Sequence, residues 1–476
     1  METIFALSSG RGKTGVSVIR VSGDLAKKSL DVFAISKPIK PRVSELCKLK
    51  HNGEVIDNAL VLYFQNPNSF TGEDVIEFHV HGSVAVVNNI LNILSNIEGY
   101  RLAEAGEFSK RAFQNGKMDL VQAEGLADLI EAETTAQAKQ AMRAMEGMSS
   151  KIYEDWRKRI IEIMAFIEAY IDFPDENIPA DLDIQAQNKV QQIIDEIESQ
   201  IKNDNGERVR LGAVATIIGA PNVGKSSLIN FLTKREVAIV SDIAGTTRDY
   251  LEAHLNIAGM PLTLIDTAGI RESADVIEQE GVRRALQKAE NADFAIVMLD
   301  DRMIGLDDEK IKSFIQNENN LVILNKVDLF KTQSSSLRKQ GSSDSTCDLN
   351  QIKTIDAQLD PCFRRENTEG EGNNLIKISL KENIGTEELM QKLTQKLENI
   401  MGNSESSIIT RARHKTSLQK SIAGLSGFIS ARKNNIPIEL CAENLRAAAV
   451  AIGQITGKIG VEDILDKIFS EFCIGK

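Results

Sequence analysis

The sequence predicts an α/β plus α+β chain: a doubly wound, mostly parallel α/β unit inserted into a helical region, with an α+β region ahead of both. Three observations lead there. First, the stretch Gly219-Ala-Pro-Asn-Val-Gly-Lys225-Ser226-Ser227 lies between an apolar, β-branched run (213–218) and a helix-forming run (228–232). Second, segments before residue 117 alternate apolar and polar with period two, as half-buried strands do. Third, apolar stripes at helical spacing flank the α/β stretch on both sides, and each needs a partner surface. The expected organisation is an α+β domain at 1–116, a helical domain in two parts at 117–206 and 405–476, and an inserted nucleotide-binding domain at 207–404.

Composition narrows the class. A chain of 476 residues holds about three domains. Charged residues make up 26% and hydrophobic ones 42%, ordinary values for a soluble protein. The net charge of −12 argues against general attraction to nucleic acid, so any such contact needs a local basic patch. Cys47, Cys347, Cys362, Cys441 and Cys473 are scattered without a C-x-x-C pair. That argues against a zinc site or a disulfide framework and fits a reducing, cytoplasmic compartment. No signal or transit peptide is expected, and no apolar run is long enough to span a membrane.

In order, 15–21, 59–64 and 74–80 read as strands, the last placing Glu77 and His79 on one face with Val75. A helix is expected over 84–94, with turns at Asn66-Pro67 and Thr71-Gly72. Leu120, Ala123, Leu126, Ala127 and Ile130 form one helical stripe. Ile152, Trp156, Ile160, Ile163, Ile167 and Ile171 form a second, stopped by Asp172-Phe-Pro174. Ile193, Ile194, Ile197 and Ile201 form a third, and Asn203-Asp-Asn-Gly206 reads as a hinge. Met142, Met145 and Met148 read as core or helix-face residues. Helices resume at Leu418, Ile422, Leu425 and Phe428, then over 440–455, then at Ile464, Leu465, Ile468, Phe469 and Phe472. Residues 330–374, with serine clusters and little periodicity, read as a long, mostly disordered insertion.

The glycine-rich stretch fits a phosphate loop, since backbone N–H groups and a helix N-terminus make an anion site there. The cradle runs through Asn222, Val223, Gly224 and Ser227; Lys225 reaches the β- and γ-phosphates, and Ser226 sits on magnesium (Mg2+). A polar loop, Ser241-Asp242-Ile243-Ala244-Gly245-Thr246-Thr247, follows an apolar run and supplies a threonine, Thr247, for the metal. Asp266-Thr267-Ala268-Gly269 follows a second run, with Asp266 reaching the metal through water and Gly269 N–H the γ-phosphate. These are switch loops by analogy. Asn325-Lys326-Val-Asp328 follows the strand 321–324. Asp328 can accept two hydrogen bonds from guanine that adenine cannot supply, which selects GTP over ATP. Ser379 is a last base contact. Many GTPases orient water with a glutamine directly after the D-x-x-G motif; here that position is Ile270. Glu278 is the best nearby acid for that task, and Arg271 a charge donor; the alternatives are a solvated helix-start acid and a surface residue.

The chain resembles the tRNA-modification GTPase family MnmE, also called TrmE, over nearly its whole length. The residues that carry this are Asn68-Ser-Phe-Thr-Gly-Glu-Asp74, Gly106-Glu-Phe-Ser-Lys-Arg-Ala-Phe113, Ile171-Asp-Phe-Pro-Asp-Glu176, Asp242-Ile-Ala-Gly-Thr-Thr-Arg-Asp249 and the terminal Cys473-Ile-Gly-Lys476. The resemblance implies potassium (K+) in place of an arginine finger. Its ligands would be the Asn222 side chain and oxygens of Ser241, Ile243 and Thr246, with Glu278 orienting water. It implies a homodimer built by the N-terminal domain, whose GTPase domains meet in the triphosphate state. It implies 5-formyl-tetrahydrofolate or 5,10-methylene-tetrahydrofolate held by Arg20, Glu77, Lys117 and Lys476. It also implies an FAD-dependent partner, MnmG, in a heterotetramer. The pair installs an aminomethyl or carboxymethylaminomethyl group on carbon 5 of the tRNA wobble uridine, with glycine or ammonia as amine. Cys473 is a candidate nucleophile or an inert thiol. Arg411, Arg413, His414 and Lys415 form either a tRNA patch or a solvated helix start. The chain departs from the family in the insertion at 330–374 and in Ser379-Leu380 for the usual Ser-Ala. A regulatory GTPase switch in ribosome assembly is the alternative; it would be favoured by a KH-like domain after the GTPase domain, which the sequence lacks.

Overall fold

The computed structural model describes residues 2–172, 182–202, 205–220, 222–235, 238–239, 252–266, 292–300, 309–329, 375–402, 407–460, 465, 468–470 and 472–475. The chain divides into two compact units: 1–131 with 141–202 and 411–476, and 132–140 with 203–410.

The first unit contains β1 (Thr3–Leu7), β2 (Thr14–Ser22), β3 (Glu45–His51), β4 (Glu54–Phe64), β5 (Val75–Gly82) and β6 (Tyr100–Leu102). They form one sheet in the order β3-β4-β5-β2-β1-β6, antiparallel except for the β1–β6 pair. Alternation decides the faces. Ile19, Val21, Ile76, Phe78 and Val80 point to a core closed by Val87, Ile90 and Leu94 of the helix Val84–Ser95. Phe33 packs edge-on against Phe78 at 5.2 Å. Arg20, Glu77 and His79 take the opposite face. The sequence reading missed β1, β3 and β6. In β1, Ile4, Phe5 and Ala6 are all buried. A strand covered on both faces loses the alternation that betrays it.

The helices of this unit follow the predicted stripes closely. The helix Met148–Asp172 buries Trp156, Ile160, Ile163 and Ile167 together with Tyr153, and its expected stop at Phe173-Pro174 lies outside the described residues. Each such burial is worth about 1.5–3 kcal/mol. Trp156 Nε1 still donates to Glu196 at 2.8 Å, on the helix Leu182–Lys202, whose Ile193, Ile194 and Ile197 are buried. Ile130, expected in the stripe of Leu120–Glu131, is exposed, as are Met142 and Met148. Leu440, in the helix Ile438–Thr456, is 69% exposed.

The basic run at 411–415 needs a correction. Three of its members form neither a nucleic-acid patch nor a solvated helix start. Arg413 donates to both oxygens of Glu124 at 2.6 Å, and to the Ile455 carbonyl at 3.0 Å. His414 is fully buried with Nε2 2.9 Å from Glu124 Oε2, and Arg411 donates to Asp128 at 2.8 Å. Glu124 is 1% exposed, so its charge must be paired inside the protein. The helix Ala412–Lys433 is thereby bolted to Leu120–Glu131.

The second unit contains β7 (Ala213–Gly219), β8 (Ala238–Ile239), β9 (Glu252–Ile257), β10 (Met260–Asp266), β11 (Phe294–Leu299), β12 (Leu321–Leu324) and β13 (Leu375–Lys377). The sheet order is β13-β12-β11-β7-β10-β9-β8. From β13 through β10 every pairing is parallel; β9 runs antiparallel to both β10 and β8. β7, β11 and β12 are almost wholly buried, as parallel strands are when both faces are covered. The β9–β10 turn is held by residues 135–136: Ala136 N–H donates to the Gly259 carbonyl at 3.1 Å. The insertion at 330–374, with Cys347 and Cys362, lies outside the described residues.

Candidate functional site: a cleft at the strand ends of the second unit

Parallel strands deliver their C-terminal ends to one edge of a sheet, and loops gathered there make a site. β7 ends at Gly219 and passes into the helix Lys225–Arg235. Asp300 follows β11, Asn325 follows β12, and Ser379 lies just past β13. The residues between form a cleft of about 640 Å³, a size suited to a nucleotide. Asn222, Gly224, Ser227, Asn325, Lys326, Asp328 and Ser379 line it, all singled out from sequence.

The backbone geometry is specific. Asn222 has φ +62°, Gly224 φ +113° and Lys326 φ +63°. A Cβ on Gly224 would run into Asn325 Nδ2, so glycine is required twice over, by conformation and by space. Asn325 Nδ2 donates to the Val223 carbonyl at 2.9 Å. Lys326 Nζ donates to the Asn222 carbonyl at 2.6 Å. The base-side loop is therefore fastened to the phosphate loop by adjacent side chains. Asn325 Oδ1 is buried and accepts no hydrogen bond from the described residues. A buried acceptor left open in a cleft is where a ligand donor belongs. Lys225 Nζ lies on the loop itself, donating to the carbonyls of Gly219 at 2.7 Å and Ala220 at 2.9 Å. Ser226 and Ser227 open the helix, whose N-terminal N–H groups favour an anion. Val223 is fully buried and pins the loop to the core.

Sequence reasoning did not foresee the far wall. Asn230, Phe231 and Lys234 border the cleft on the helix face they share with Ser227, the one member of this wall singled out from sequence. Their spacing of three and four residues was the available signal. Lys381 adds a second positive charge there. Asp266 ends β10. Ser241, Asp242, Ile243, Ala244, Gly245, Thr246, Thr247, Thr267, Ala268, Gly269, Arg271, Glu278 and Lys476 lie outside the described residues.

The open face of the first sheet is a second constellation. Arg20 Nε donates to Glu77 Oε1 at 2.9 Å, and His79 Nε2 lies 3.3 Å from Glu77 Oε2. The Arg20 guanidinium lies over the rings of Phe70 and Phe108 at 5.4 and 5.6 Å, within the range of cation–π attraction. Lys117 is exposed, and its chain passes over Gly72 of the same loop as Phe70; a Cβ on Gly72 would lie 3.3 Å from Lys117 Cε. The C-terminal tail returns to this region: Ile474 pairs with Ala105, and Gly475 packs on the Leu7 carbonyl. Cys473 is exposed on that tail.

Comparison with known proteins places the whole chain in a family. The family description "GTP-binding protein TrmE N-terminus" matches residues 3–117, and "MnmE helical domain" matches 120–473. The tRNA modification GTPase MnmE of Rickettsia typhi is 43% identical over the full length of both chains. That of Rickettsia bellii is 44% identical, again over both full lengths. Among solved structures, Aquifex aeolicus Era bound to GDP.AlF4- matches 44% of this chain and 66% of its own, at 26% identity and a TM-score of 0.27. With matches that run from end to end and a cleft built from its expected motifs, the chain belongs to the tRNA modification GTPase MnmE family.

Proposed function

We propose that this GTPase uses a potassium-stimulated hydrolysis cycle to drive tRNA modification at carbon 5 of the wobble uridine. It does so in the cytoplasm, as a homodimer working with the FAD-dependent partner MnmG, and a tetrahydrofolate supplies the one-carbon unit. The observation that carries the reading is the presence, on one chain, of the guanine-type cleft and the Arg20–Glu77 pair.

In the cleft, Asp328 accepts from the guanine edge, Asn325 Oδ1 takes a further donor, and Lys225 leaves the loop carbonyls for the phosphates. Ser226 and Thr247 hold magnesium. Asn222, Ser241, Ile243 and Thr246 would hold potassium, whose positive charge would offset that of the transferring phosphoryl group. Glu278 orients the attacking water. On the sheet face, Glu77 accepts N–H donors of the pterin ring, while Arg20, Lys117 and Lys476 hold the acidic tail. Arg20 leaves Glu77 enough acceptor capacity for this, because a carboxylate has about four lone-pair sites. No helix among the described residues is long and apolar enough to cross a membrane.

The test is GTP turnover in potassium and in sodium, for the natural chain and Glu278→Ala. Turnover is expected to fall at least about tenfold in sodium and about a hundredfold in Glu278→Ala, with GTP affinity retained. Equal turnover in both salts and both proteins overturns the assignment of Asn222 and Glu278.

A further inference from the structure

Asp300 stands at the end of β11 and is 2% exposed. Its Oδ2 lies 3.1 Å from Lys326 Nζ, the atom that also donates to the Asn222 carbonyl at 2.6 Å. No sequence motif named this carboxylate. It sits near the phosphate loop, where an unpaired negative charge would repel the nucleotide.

We propose that Asp300 is a positioning residue for nucleotide retention: it holds the Lys326 ammonium on the Asn222 carbonyl and so keeps the phosphate loop fastened to the guanine-side loop. Three features support this. Lys326 is a flexible side chain, 29% exposed, with phosphates as competing partners in a loaded site; a buried carboxylate decides where its charge rests. The pairing also neutralises Asp300 itself, so the carboxylate does not oppose phosphate binding. Finally, Asn222 and Lys326 both have left-handed backbones; asparagine tolerates that conformation, but a lysine keeps it only when its surroundings enforce it. The Lys326–Asn222 bond joins these two positions, and Asp300 anchors the bond. Asn325 to Val223 is a parallel fastening that does not involve Asp300, so loss of Asp300 loosens the loop without opening it fully.

The inference needs only that the cleft binds guanine nucleotide. It stands or falls separately from potassium, folate and tRNA. The test is the dissociation rate of fluorescent N-methylanthraniloyl-GDP from the full chain, in the natural protein, D300N, K326Q and the double variant. D300N is expected to release the probe roughly tenfold faster, as for loss of a charge-assisted hydrogen bond. The double variant should be no faster than K326Q alone, because Asp300 acts through Lys326. A merely structural role predicts multiplying effects instead. A rate for D300N within about twofold of the natural chain, or effects that multiply, overturns the proposal. If D300N does not fold, D300E carries the comparison. It should speed release when Lys326 is present and not in the K326Q background; an equal rise in both contradicts the assignment.

Discussion

Arg20 and Glu77 are cross-strand partners on β2 and β5, with Nε of one 2.9 Å from Oε1 of the other. The pair lies on the sheet face away from the helix Val84–Ser95, and Phe70 and Phe108 back the guanidinium. Such a pair holds a carboxylate in a fixed orientation while leaving it reachable. Glu77→Ala is expected to weaken 5-formyl-tetrahydrofolate binding by about tenfold to a hundredfold, the loss typical of a charged hydrogen-bond acceptor. GTP turnover should be unchanged. Equilibrium dialysis of the intact chain reads the first quantity; undiminished folate binding in the variant sinks the assignment.

Asp328 borders the nucleotide cleft together with Asn325 and Ser379. Replacing its carboxylate by an amide removes one acceptor and presents a donor to guanine's donors. Asp328→Asn should therefore cost GTP at least about a hundredfold in affinity and gain nothing for ATP. Competition against labelled GDP checks this, and GTP affinity equal to that of the natural chain would show that guanine is read elsewhere.

The Glu124 cluster makes the first unit sensitive to acid. Burial alone pushes the Glu124 carboxyl up, but His414 and the Arg413 fork outweigh it and hold the group at about 2, below the ordinary 4.5. The unfolded chain takes up this proton first as pH falls. The stabilisation is thus complete above 4.5 and is lost as pH drops from there toward 2. At its largest it amounts to about 3 kcal/mol. His414 adds a loss of the same sign at higher pH. Burial drives its ring below the ordinary 6.5, so below 6.5 protons favour the unfolded chain. Thermal unfolding followed by circular dichroism should show a midpoint that falls from pH 7 to 5, and again from 5 to 4. Glu124→Ala should cost about 1–3 kcal/mol at pH 7, since it takes the carboxylate from half-buried Arg413 and fully buried His414. A midpoint indifferent to this change would contradict the cluster's role.

Gly259 turns β9 into β10 with φ +86°, and a Cβ there would lie 2.5 Å from Thr135 Oγ1. Both conformation and space oppose a side chain. Gly259→Ala should destabilise the second unit by about 1–3 kcal/mol with GDP affinity unchanged. A melting curve identical to that of the natural chain would mean that the turn adapts freely.

Much of this was legible in the sequence because local chemistry and fold agree there. The 219–227 loop needed glycine at 224 and a strand on one side with a helix on the other, and each requirement is written in adjacent residues. Asn325, Asp328 and Ser379 were found because each follows a strand of the same sheet. Pairings between residues far apart along the chain were not legible. Arg413 and His414 looked like surface charge because Glu124, their partner, lies nearly 290 positions away. Asp300 was silent for the same reason: only the fold brings it to Lys326. β1 escaped because burial on both faces erases its alternation.

We propose that GTP hydrolysis by this chain serves a folate-fed change at carbon 5 of the wobble uridine. The most direct test is mass spectrometry of tRNA nucleosides after incubation with the chain, its FAD-dependent partner, 5,10-methylene-tetrahydrofolate, glycine or ammonia, and either GTP or a non-hydrolysable analogue. An aminomethyl-type mass increase at the wobble uridine is expected with GTP, and almost none with the analogue. Unmodified uridine under every condition, or equal product with GTP and the analogue, would contradict it.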